Sequence, residues 1–197
     1  MLPLIYGLNV YAIIFWVVYV AWFALEMIGA VAQRVKPAAQ KQDRGSMVVL
    51  LLGLYSGLFL NFFFAGLIQG ATITWHRSIF VSIGIVLMVL GVILRHYAIR
   101  TLGQYFTREV ATRPDQAVVQ RGPYKFIRHP AYSGTLLTVL GIGLATANWV
   151  SLASIMLLSF IGYSYRVMVE EQALRRALGQ PYIEYMHHTK RFIPFVF

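Results

Sequence analysis

The sequence predicts an all-α, polytopic integral membrane protein of about five transmembrane helices with a C-terminal cytosolic helical tail. Three observations predict it. Of 197 residues, 58% are hydrophobic and 12% charged, where a soluble domain carries roughly twice that charged fraction. Apolar runs near the length of about 20 residues that a spanning helix needs recur along the chain. Lys and Arg fall almost entirely in alternate segments between those runs. The mean hydropathy of +0.64 agrees.

The first apolar run covers 4–30, long enough to tilt. No basic n-region precedes it, so it is expected to stay as the first membrane helix. A basic loop follows at 33–46, then a second helix at 47–70. A connector at 71–77 carries Trp75 and His76, which suit an interface. The third helix spans 78–94 and leads into Arg95, His96 and Arg100. A polar stretch occupies 101–128. Two apolar runs, 131–149 and 150–165, follow with almost no loop between them and read as a tight hairpin turning near Ala147-Asn148. Each arm is short, so the bilayer thins there or the hairpin crosses only in part. In 166–197, Val169, Ala173, Leu174, Ala177 and Leu178 recur at helical spacing. Gly179-Gln180-Pro181 stops that helix, and a short helix at 182–188 follows. The whole, 1–197, reads as one membrane domain: three membrane helices within 1–100, and a loop, hairpin and tail in 101–197.

Charge sets the topology. With the N-terminus outside, segments 31–46, 95–128 and 166–197 face the cytoplasm and hold 16 of the 17 Lys and Arg; Arg77 alone lies opposite. That is the positive-inside pattern of an inner or cytoplasmic-type membrane. The net charge of +10 sits in these loops, which points to anionic lipid rather than nucleic acid. The absence of cysteine excludes disulfides, thiolate metal sites and thiol nucleophiles; no metal site is expected.

Some polar residues stand inside apolar runs. Glu26 is placed to reach the interface or to pair with a loop arginine. Asn61 and Gln69 are expected to hydrogen-bond between helices. The segment 118–132 reads V-V-Q-R-G-P-Y-K-F-I-R-H-P-A-Y. Gly122-Pro123 makes a turn, and Pro130 suits the first position of a helix. The free N–H groups there, beside Arg128 and His129, favour an anion. Tyr124, Phe126 and Tyr132 are candidates to stack on a flat ligand. A loop that binds lipid phosphate and caps a helix fits the same residues. Arg166 and Glu170 are four apart and share a helix face. With Glu171 they form either a surface ion pair or a site for a ligand bearing both ammonium and carboxylate.

These elements in order resemble the isoprenylcysteine carboxyl methyltransferase family: Gly122-Pro123-Tyr124; Arg128-His129-Pro130-Ala131-Tyr132-Ser133-Gly134; Glu170-Glu171 and Leu174; Gly179, Tyr182 and Tyr185; and Arg191-Phe192-Ile193-Pro194. The related phospholipid N-methyltransferases share much of this. The resemblance covers about 101–197 and implies a membrane methyltransferase using S-adenosylmethionine. By matching position it places cofactor contacts on Gln116, Ala117, Val118, Val119, Tyr124, His129, Pro130, Ala131, Tyr132 and Glu170, with Glu171 alongside. Gln116 departs from the histidine common in the family. Glu109 matches a polar position near the cofactor. Arg166 matches an arginine that meets the acceptor's carboxylate, and with Glu170 it forms the implied catalytic pair. The expected acceptor is lipidic or prenylated and reaches the site from the bilayer. A carboxylate acceptor needs no general base; an amine or thiol would need one, with His129, Glu170 or Glu171 as candidates. The competing readings are a phospholipid N-methyltransferase, an NADPH-dependent membrane reductase of the sterol-reductase type, and a non-catalytic scaffold.

Overall fold

The computed structural model describes residues 4–7, 9–32, 40–41, 43, 45–106, 111–112 and 117–193. Among them six α-helices are formed: α1 (Val10–Ala32), α2 (Ser46–Leu67), α3 (Arg77–Leu102), α4 (Pro130–Ala145), α5 (Trp149–Leu178) and α6 (Gln180–His188). A short antiparallel pair, β1 (Gln40–Lys41) with β2 (Ala111–Thr112), joins the segments after α1 and α3.

Among the described residues, four helices, α1, α2, α3 and α5, are long and apolar enough to cross a membrane. The protein is an integral membrane protein. The fourth expected span, α4, has 16 residues, or about 24 Å at 1.5 Å per residue, short of the ~30 Å hydrocarbon layer. Ten of those residues are buried. A helix apolar all round belongs inside a bundle, and α4 lies between α3 and α5.

Boundaries follow local chemistry. α1 begins at Val10 rather than Leu4 because Asn9 caps it, Oδ1 accepting from Ala12 N at 3.0 Å. The preceding turn, Leu4–Tyr6, folds back and buries Ile5. Gln69 lies beyond the end of α2, exposed in the turn Gln69–Ala71, while Asn61 is buried in α2 and faces Thr146 Oγ1 at 3.4 Å. α3 runs past the expected 94 to Gly103, whose φ of 58° ends it, so Arg95 is inside the helix. The hairpin turns at Ala147-Asn148 as expected, with Asn148 capping α5 by accepting from Ser151 N at 3.0 Å.

The longest helix is α5. The apolar run expected at 150–165 and the helical spacing expected over 169–178 belong to one helix of 30 residues, which stops before Gly179 as expected. The change from apolar to charged residues at Arg166 is a change of solvent, and these charged residues are good helix formers.

Glycines set the closest helix approach. A Cβ on Gly141 of α4 would lie 2.4 Å from the Gly84 carbonyl of α3, and one on Gly91 would lie 2.5 Å from the Gly134 carbonyl. Small residues let membrane helices pack backbone to backbone. Phe15, Trp22, Leu58, Met88, Ile142 and Ile155 fill the core around this crossing.

Candidate active site

The start of α4 organises the site. The segment before it is pinned by the chain's end: Arg128 N donates to Lys190 O at 2.8 Å and His129 N to Arg191 O at 3.1 Å. Tyr185 OH donates to Tyr124 O at 2.6 Å, and burial pushes the Tyr185 phenol well above its usual value, keeping it a donor. Ser133 Oγ donates to Phe192 O at 2.7 Å. The tail thus braces the segment 122–133.

Pro130 opens α4. One turn in, the Tyr132 hydroxyl donates to Glu170 Oε2 at 2.6 Å and faces Arg166 Nε at 3.4 Å. The two residues expected to pair along α5 are therefore linked through a tyrosine of α4. The His129 ring stacks on Tyr132, with centroids 5.6 Å apart and planes 10° apart. Tyr163 lies against the other ring neighbourhood of Tyr132 at 5.2 Å.

Arg166 is buried, 1% exposed. Its NH1 donates to Ser46 Oγ at 2.7 Å and to Asp43 Oδ1. The Arg166 site thus draws on the connection into α2, which sequence reading left out. Asp43 was visible only as one acid in a basic loop. Glu26 pairs with Arg95 of α3 through both carboxylate oxygens, NH2 to Oε2 at 2.8 Å. Its partner is a helix residue rather than a loop arginine, because α3 extends beyond 94.

These groups line one cavity within the helices. Trp22, Leu54 and Tyr55 contribute apolar walls; Glu26, Arg95, Tyr132 and Arg166 contribute polar atoms.

Other expected residues sit elsewhere. Glu171 is buried and takes Arg128 Nε at 2.8 Å and Arg191 NH2 at 2.9 Å, with His129 Nε2 at 3.5 Å. It ties the tail down. Arg128 also serves the carbonyls of Met186 and Thr189, so its guanidinium is engaged there rather than beside the α4 start. Tyr124 is buried with Ala98 and Ala131, against Val119 and Phe106; Phe126 is exposed. Val118 is half-buried and Ala117 exposed. Gln116 and Glu109 lie outside the described residues.

A family model for isoprenylcysteine carboxyl methyltransferases matches residues 83–176, from α3 through most of α5. Protein-S-isoprenylcysteine O-methyltransferase A of Arabidopsis thaliana is 30% identical over 151 residues, 76% of this chain and 73% of that protein. This chain belongs to the isoprenylcysteine carboxyl methyltransferase (ICMT) family. The B protein of the same plant is 33% identical over 136 residues, covering 68% of this chain and 66% of its own length. The solved eukaryotic intramembrane Ras methyltransferase ICMT superposes with a TM-score of 0.59 at 27% identity, covering 74% of this chain and 52% of that one. The chain thus spans about two thirds of the A. thaliana B relative it matches and about half of the solved ICMT. The stretch matched by the ICMT model contains Tyr124, His129, Tyr132, Arg166 and Glu170. Glu26, Asp43 and Ser46 come from the half before it.

Proposed function

We propose that this chain is an integral membrane methyltransferase that uses S-adenosylmethionine to methylate the carboxylate of a prenylated or otherwise lipidic acceptor. The observation that carries this reading is the hydrogen-bonded line from Arg166 through Tyr132 to Glu170, beside an apolar cavity. It sets a cation for the acceptor's carboxylate close to an anion for a positively charged group. The names of the A. thaliana relatives, protein-S-isoprenylcysteine O-methyltransferases, support the same chemistry.

The residues present fit this cofactor, which bears a sulfonium, an ammonium, a carboxylate and a flat adenine. Glu170 suits its cationic end. The rings of Tyr124, His129 and Tyr132 suit an aromatic neighbour, and Pro130 and Ala131, both buried, carry the start of α4 between them. Ala117, Val118 and Val119 are neither helix nor strand and offer backbone groups, with Gln116 next to them in sequence. His129 Nε2 is buried, with Glu171 Oε1 3.5 Å away and no closer hydrogen-bond partner among the described residues. Glu171 supports the cofactor side indirectly, by fixing the segment that bears His129.

When bound, the cofactor supplies a methyl group already activated on sulfur. The chain then has to bind, orient and exclude water. Arg166 orients the acceptor's carboxylate, which is itself the nucleophile and needs no base. The apolar cavity walls receive the lipid part from the bilayer side. The 16 cytoplasm-facing Lys and Arg support an N-terminus outside and a site at the cytosolic face. Pairing of β1 with β2 supports placing both of those loops on one side.

Calorimetric titration of the detergent-purified protein tests this reading. S-adenosylmethionine and S-adenosylhomocysteine are expected to bind saturably, and NADPH is not. Folded protein that binds neither of the first two overturns the proposal.

A further inference from the structure

The cavity holds two arginines, and each already faces a carboxylate. Glu26 holds Arg95 through both oxygens from within α1, a membrane helix. Asp43 holds Arg166 differently: one oxygen, from the connection ahead of α2, meets NH1 and also accepts from the Ser46 hydroxyl at 2.5 Å. The Asp43 side chain is 22% exposed, against 2% for that of Arg166. If Glu26, whose side chain is 15% exposed, left Arg95, two guanidinium contacts would break and the buried Arg95 would lose its counter-ion, which costs several kcal/mol. Asp43 leaving Arg166 can reach water instead.

NH1 of Arg166 carries two protons, directed at Asp43 and at Ser46 Oγ, and Nε faces Tyr132. A carboxylate grips a guanidinium best through two parallel N–H groups. Either edge of the fork that includes NH2 also includes NH1 or Nε, both already engaged. An acceptor carboxylate therefore meets an occupied arginine.

We propose that Asp43 is the exchangeable counter-ion of the acceptor site: it neutralises Arg166 in the resting protein, yields to the acceptor's carboxylate, and returns when the product forms. This rests on the reading of Arg166 as the acceptor-binding arginine. Methyl transfer forms a C–O bond and breaks the S–C bond of the sulfonium, leaving a thioether and an uncharged ester, with no proton moved. The ester has lost the charge that competed for Arg166. Asp43 re-pairs, and the neutral product is released to the bilayer. The backbone anchor stays in place during exchange, since Ser46 N donates to Asp43 O at 2.8 Å independently of the side chain.

The test is Asp43→Asn in the full chain, reconstituted in phosphatidylcholine vesicles, with an N-acetylated S-farnesylcysteine as acceptor probe. The KM for the acid is expected to fall about 3- to 10-fold, corresponding to about 0.7–1.4 kcal/mol of removed competition. Inhibition by the neutral methyl ester changes less than binding of the acid, while cofactor affinity is unchanged. Binding of the carboxamide analogue changes less than that of the acid. A KM that stays the same or rises, with cofactor binding intact, overturns the proposal and assigns Asp43 a fixed orienting role. Arg166→Gln separates the premise: an unchanged acceptor KM in that variant removes Arg166 from the acceptor site, and the exchange with it.

Discussion

Tyr132 of α4 donates its hydroxyl to Glu170 of α5 at 2.6 Å and lies 3.4 Å from Arg166 Nε. One phenol thus joins the two charged residues on which the proposed chemistry depends, and it does so from a different helix. Tyr132→Phe keeps the ring and its stacking on His129 but removes this link. A hydrogen bond to a charged group contributes about 1.5–3 kcal/mol. Cofactor affinity or turnover is therefore expected to fall roughly 10- to 100-fold with little change in melting temperature, as measured by calorimetry and methyl-transfer assay.

The Glu26–Arg95 pair ties α1 to α3. Glu26→Ala leaves a buried guanidinium without this partner, which destabilises by about 3–5 kcal/mol. Replacing both, as Glu26→Gln with Arg95→Met, is expected to recover much of that loss. Thermal unfolding in detergent reads the difference; a double variant no more stable than the single one argues against the pair as the cause.

Gly141→Ala places a Cβ 2.4 Å from the Gly84 carbonyl. The α3–α4 crossing must open, so lower thermal stability and poorer monodispersity are expected. Gly66→Ala in α2 is the control, because nothing lies within 4 Å of its Cβ position. Ala also has the better helix propensity, by about 1 kcal/mol. Size-exclusion profiles and melting curves of the two variants check this.

Glu171 gathers Arg128 and Arg191 in a buried position. Glu171→Gln weakens two charge-assisted contacts, and the tail around 180–193 is expected to loosen from the segment 122–133. Hydrogen exchange at α6 should rise, and cofactor affinity should fall as a consequence. Unchanged exchange in α6 would show that the backbone bonds to Lys190 and Arg191 hold the tail alone.

The sequence made legible what depends on solvent and local chain chemistry. Apolar runs marked the helices, Pro130 and Gly179 marked a start and a stop, and loop charge marked a topology. Glu170, Arg166 and Tyr132 were named as site residues because their spacing resembles that of ICMT proteins. Contacts between distant segments were less visible. The Asp43–Arg166 pair spans 123 positions, and nothing local distinguishes Asp43 from any loop acid. The Tyr132 bridge depends on how α4 lies against α5. The role of Glu171 inverted for a similar reason: it follows Glu170 directly, yet on a helix adjacent residues point about 100° apart. One meets Tyr132 and the other meets the tail. Along α5 the change to charged residues at Arg166 marks where lipid ends, while Gly179 marks where the helix ends.

The central claim is methyl transfer to a lipid-borne carboxylate. The most direct measurement supplies methyl-labelled S-adenosylmethionine and an N-acetylated S-farnesylcysteine to the reconstituted chain, then treats the product with alkali. The account predicts label in a lipid-soluble product, released as volatile methanol by base because it is an ester. No transfer by folded, cofactor-binding protein, or label stable to base, would contradict it.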